Sequence, residues 1–154
     1  MKNELVRNPH SVGECNLHLQ ITPAYRQDVF VDPLVRELTV AYLIQKAQQM
    51  KIHVAAVESG PDHVHLFIEN WKNYSIPKIA QSLKGYSSFM MRKGHQYMVG
   101  NKLWDSKFWS SGYFYRTVGA VNAETVKKYI EEGQKKHWTA REQKQQKTLT
   151  NYIV

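Results

Sequence analysis

His63, Val64 and His65 stand in a largely apolar run that ends at Glu69 and alternates as a strand does. Side chains at i and i+2 of a strand project to one face, about 7 Å apart at the backbone, so two imidazoles there can lean together on one divalent ion. Histidine nitrogens alone suit Zn, Mn, Ni or Cu, and a phosphate substrate with an oxygen ligand widens the choice to Mg or Mn. Further along, Tyr129 falls in a helical pattern. A phenol can attack a phosphodiester, but it titrates at about 10 in water, so at neutral pH it needs a base, a metal or neighbouring cations. An ion-holding pair and a phenol together point to the cutting of a nucleic-acid strand. Each feature alone is ordinary, because strand histidines are often half-buried polar residues and helical tyrosines are often core.

The elements that must position these groups follow from periodicity. Between Cys15 and Thr22, Leu17, Leu19 and Ile21 alternate with Asn16, His18 and Gln20, the period of a half-buried strand. Asp32-Pro33 opens a helix, with Asp as N-cap and Pro in the first turn, that runs to about Lys51. Ile52 to Val57 reads as a second strand, Ser59-Gly60-Pro61-Asp62 as a turn, and His63 to Glu69 as a third strand antiparallel to the second. Ser75 caps a helix carrying Ile79, Leu83, Tyr86 and Met90, in which Gly85 suggests close packing. Gly94 to Gly112 reads as an irregular connection, Tyr113 to Val118 as a fourth strand, and Asn122 as the cap of a third helix that carries Tyr129 toward His137.

The order predicts an α+β, ferredoxin-like split βαβ fold: a four-stranded antiparallel sheet, two helices on one face and an extra C-terminal helix with the tyrosine. In the third strand Val64, Leu66 and Ile68 face one way and His63, His65 and Phe67 the other. With the aliphatic set against the helices, both histidines point to the uncovered side. A single domain over 1–137 is expected, followed by a polar extension over 138–154.

Twenty-one Lys and Arg against thirteen Asp and Glu give a formal charge of +8 over 154 residues, which favours a polyanionic partner, nucleic acid before membrane. Aromatic residues at 12% add rings on which unpaired bases can stack. Cys15 is the only cysteine, which excludes an internal disulfide and suits a reducing cytoplasm. No signal peptide is evident, nor any run of roughly 20 apolar residues such as a membrane span needs.

Gly60 to Phe67, Leu83-Lys84-Gly85-Tyr86-Ser87-Ser88, Leu103-Trp104, Thr117-Val118-Gly119 and Thr125 to Glu131 resemble, in order, the single-tyrosine HUH transposases of prokaryotic insertion sequences, the TnpA-like 200/605 group. The resemblance runs from His10 to Lys136. It implies a homodimer, with active sites shared between subunits, that cuts and rejoins single-stranded DNA hairpins at element ends through a 5′-phosphotyrosine. It makes Tyr129 the nucleophile and gives His63 and His65 the divalent metal, Mg or Mn. It also implies a flexible joint at Gly119, from which the tyrosine helix can move.

This chain departs from the family at the third metal ligand. A glutamine is usual four residues after the tyrosine, and Gly133 stands there. Gln134, reached through an extra residue in the helix, and Glu132, at i+3 on the tyrosine's face, are both candidates. For DNA contact, Lys84, Arg92 and Trp104 stand out, with Lys78, Lys93, Lys102, Phe108 and Trp109 nearby in sequence. Two other readings remain open: a noncatalytic single-stranded nucleic-acid-binding module derived from such a transposase, and a phosphoesterase using the two histidines as acid and base.

Overall fold

The computed structural model describes residues 5–99, 107–119, 125 and 127–133. Trp104, Lys102, the Asn122 cap, Gln134 and the 138–154 extension lie outside the described residues. The chain starts with a short hairpin, β1 (Val6–Asn8) and β2 (Ser11–Gly13), which periodicity does not reveal because each strand has only three residues. β3 (Asn16–Ile21), α1 (Pro33–Gln49), β4 (His53–Gly60), β5 (His63–Glu69), α2 (Ile76–Val99) and β6 (Phe114–Val118) follow. Helical residues 127–133 form α3.

The four long strands lie in the order β4-β5-β3-β6, every neighbouring pair antiparallel. That is the ferredoxin-like order, with β3 and β5 central. Leu17, Leu19 and Ile21 of β3 and Val64, Leu66 and Ile68 of β5 are buried with Val35, Leu38 and Leu43 of α1 and Ile79 and Leu83 of α2. Those side chains form the main core, and they fix which face of the sheet the histidines must take.

Asp32 starts α1 as expected: the amides of Leu34 and Val35 donate to its Oδ1 at 2.9 and 3.4 Å. Asp32→Ala leaves these first-turn donors to water. It is expected to lower stability by about 1 kcal/mol, read as a shifted urea midpoint with unchanged slope. An unshifted midpoint would show that solvent serves that helix end as well.

Three features differ from the sequence pattern. β4 continues through Glu58 and Ser59 to Gly60, so only Pro61 and Asp62 make the turn, and the Phe30 amide donates to the Pro61 carbonyl at 3.1 Å. α2 runs on to Val99 through a kink at His95, whose Nε2 lies 2.8 Å from the Tyr42 hydroxyl, so the irregular connection starts later than Gly94. Gly85 has no close neighbour to justify a missing side chain. It lines a cavity of about 380 Å³ between α2 and segment 107–113.

Candidate metal and nucleophile site

His63 and His65 leave β5 on the face away from the main core. Strand register places Gln20 and His18 of β3, Phe114 and Arg116 of β6, and Gly60, Glu58 and Ala56 of β4 on that same face. The face is not bare. Ile130 of α3 is fully buried against Ala56 and Phe67, so the tyrosine helix itself covers part of it.

Each histidine is held through Nδ1. His63 Nδ1 lies 2.9 Å from Asp62 Oδ1, and Arg26 Nη2 lies 3.3 Å from Asp62 Oδ2. The hydrogen bond to His63, helped by Arg26, holds the Asp62 carboxyl below its usual range against the opposing effect of burial. Asp62 is therefore the ionised acceptor and His63 Nδ1–H the donor. His65 Nδ1 lies 2.7 Å from His18 Nε2, with the two rings stacked at 4.9 Å. Burial, and then the Arg116 guanidinium, push the His18 imidazole below its ordinary value. A neutral His18 can accept from His65 Nδ1–H. In both histidines the lone pair then sits on Nε2, the orientation that outer partners of metal-bound imidazoles impose.

The His63 and His65 rings meet edge to face with centroids 5.0 Å apart. This donor set fits two ligand positions of a divalent ion. Among the described residues no three His, Cys, Asp or Glu side chains are gathered as they stand to hold one, so a further donor must be brought to the pair.

Gly60 is required beside it. A Cβ there would overlap His63 Cε1 and come within 2.7 Å of Nε2. Gly60→Ala must therefore push the imidazole off its seat. Mn²⁺ affinity is expected to fall about 10- to 100-fold, the scale on which orienting groups act, as followed by the electron paramagnetic resonance of free Mn²⁺. Wild-type affinity in this variant would mean that the ring is not the ligand.

Tyr129 is 68% exposed and is hydrogen-bonded to none of the described residues. Its helix is nonetheless tied to the site. Gly133, one turn along the same helix face, abuts the Glu58 carboxylate: a Cβ at Gly133 would lie 2.6 Å from Oε2 and 2.7 Å from Oε1. Glu58 is 4% exposed and pairs across the sheet with His65. The chain of neighbours runs from His65 to Glu58 to Gly133 and, along the helix, to Tyr129. Glu132 is exposed on α3.

The cations and rings expected to meet DNA are dispersed. Lys84 Nζ donates to the Ser111 and Gly112 carbonyls at 3.2 and 3.1 Å, and burial followed by the nearby Lys107 ammonium lowers its pKa. It borders the α2 cavity, whose lining includes neither histidine. Arg92 has Nε and Nη2 shielded from solvent. Phe108 and Trp109 are core residues, with Trp109 Nε1 donating to Ser87 Oγ at 2.9 Å, so they are not stacking platforms. Asp62, His18 and Glu58 are the site neighbours that sequence reasoning passed over.

The family described as transposase, IS200-like, matches residues 11–133. The chain belongs to this transposase family. Among its relatives is the ISDra2 transposase TnpA of Deinococcus radiodurans, 30% identical over 128 residues that cover 83% of this chain and 90% of that protein. A crystal structure assigned as a transposase of Deinococcus radiodurans R1 superposes with a TM-score of 0.64 at 26% identity, covering 83% of this transposase and 97% of that chain. A REP-associated tyrosine transposase bound to a REP hairpin gives 0.55 at 12% identity over 85% and 75% of the two chains, a likeness of fold. Among the described residues of the transposase no helix is long and apolar enough to cross a membrane.

Proposed function

We propose that this transposase cleaves and rejoins single-stranded DNA hairpins at the ends of an insertion sequence, with Tyr129 as nucleophile. The observation that carries the reading is the contact between Gly133 and Glu58, which seats the tyrosine helix beside the strand pair bearing His65. The Tyr129 phenol gives up its proton to solvent as its oxygen attacks the scissile phosphorus, the new bond being a 5′-phosphotyrosine. The bond from phosphorus to the 3′ oxygen breaks, and that oxygen leaves as a 3′-hydroxyl after taking up a proton. Because a phosphodiester bond is exchanged for another, the step is reversible without external energy, and a second 3′-hydroxyl can rejoin the strand. Asp62 and His18 orient the two imidazoles, and Gly60 gives the His63 ring its room. A Mg or Mn ion held by His63 and His65 would supply charge neutralisation at the phosphoryl oxygens.

The exposed Phe114 and Tyr115 on β6, which among the described residues pairs only with β3, support a homodimer joined along that strand, in the cytoplasm where Cys15 stays reduced. Exchange of α3 about Gly119 would share each active site between subunits. The test is covalent trapping. Purified protein, Mn²⁺ and 3′-labelled single-stranded oligonucleotides carrying the element's terminal hairpins are expected to give a labelled protein band on a denaturing gel. Duplex DNA of the same sequence is expected to give none. Tight binding of the hairpins without any such band under these conditions would favour the noncatalytic module instead.

A further inference from the structure

Resting on that reading, we infer that Glu58 supplies the third ligand of the ion held by His63 and His65, from the neighbouring strand rather than from the tyrosine helix. Three observations meet on this residue. Register puts Glu58 directly across from His65, on the histidine face of the sheet, with Gly60 across from His63. Such cross-strand pairs hold their Cβ atoms about 5 Å apart, so the carboxylate can swing to the imidazoles by rotating its own side chain. Glu58 is also nearly fully buried, so its carboxylate lies between the histidine strand and the tyrosine helix rather than out in solvent.

The third observation is the absence of a side chain at Gly133. The Glu58 carboxylate occupies the volume into which any residue at 133 would project. The two positions are thus mutually exclusive sources of one donor: a side chain at 133 displaces Glu58, and Glu58 requires glycine. An anionic oxygen added to two imidazole nitrogens suits Mn or Mg better than the histidines alone. Glu132, exposed on the helix, has no comparable position against the histidine strand.

The experiment measures Mn²⁺ binding to the full chain, without DNA, by electron paramagnetic resonance, with thermal melting as a check of folding. Glu58→Ala is expected to weaken Mn²⁺ binding at least 10-fold, as is His65→Ala. Gly133→Gln alone is expected to bind poorly because glutamine and Glu58 collide. The double variant Glu58→Ala with Gly133→Gln is expected to recover most of the affinity, since the amide oxygen then enters the vacated space. Loss of Mn²⁺ in His65→Ala but wild-type affinity in Glu58→Ala would overturn the inference and leave the histidine site standing. Wild-type affinity in His65→Ala would overturn the metal assignment underlying both. If Glu58→Ala does not fold, Glu58→Gln takes its place, and wild-type affinity there overturns the inference equally.

Discussion

Tyr129→Phe is expected to abolish the covalent DNA adduct, lowering single-turnover cleavage on the order of 10⁴-fold or more, the scale seen when an enzyme loses its nucleophile. The substitution removes one oxygen. At 68% exposure, with no hydrogen bond to the described residues, that oxygen stabilises little in the fold. Melting temperature and hairpin affinity should therefore stay near wild type. The combination separates chemistry from structure, because a core tyrosine would lose stability and a DNA-contacting tyrosine would lose affinity. An undiminished adduct in the Phe variant would place the nucleophile on another residue.

The exposure of Tyr129 also bears on how the site assembles. Ile130, its neighbour on the helix, is buried on Ala56 and Phe67, while Gly133 lies on Glu58. Among the described residues α3 is therefore anchored through Ile130 and Gly133, with Tyr129 exposed at the edge of that contact. An exposed phenol is accessible to a phosphate coming from solvent.

How much of this was legible in the sequence varies with the physics of each element. β5 could be placed to the residue because its alternation of aliphatic and other side chains runs unbroken from His63 to Glu69, and the same alternation gave the face of both histidines. The turn composition of Ser59-Gly60-Pro61-Asp62 ends the predicted strand at Val57, yet β4 runs on to Gly60. A residue before proline is biased to extended backbone, so Gly60 carried a signal that composition masked. Losing those residues hid Glu58, which then had no visible relation to His65. Alternation puts His18 on the side opposite Leu17, Leu19 and Ile21, but its bond to His65 needs β3 beside β5, a matter of strand order that local pattern does not contain. In sequence Trp109 is a ring available for bases, and long-range packing with Phe30 and Phe108 buries it.

His65→Ala should reduce cleavage by more than about 100-fold, beyond the 10- to 100-fold range that loss of an outer partner costs. Two effects add. The variant lacks one of two imidazole nitrogens offered to the ion, and it leaves the neutral His18 without the ring that donates to it at 2.7 Å. His18→Ala removes only the second, so it should fall within the 10- to 100-fold range. Raising Mn²⁺ should restore much of the His18→Ala rate, because all ligands remain and only their orientation has loosened. The same addition should do little for His65→Ala, where a ligand is gone. Hairpin binding without metal should be close to wild type in both. Single-turnover rates across an Mn²⁺ series read all of these together, and native cleavage by His65→Ala would sink the assignment of this face as the metal site.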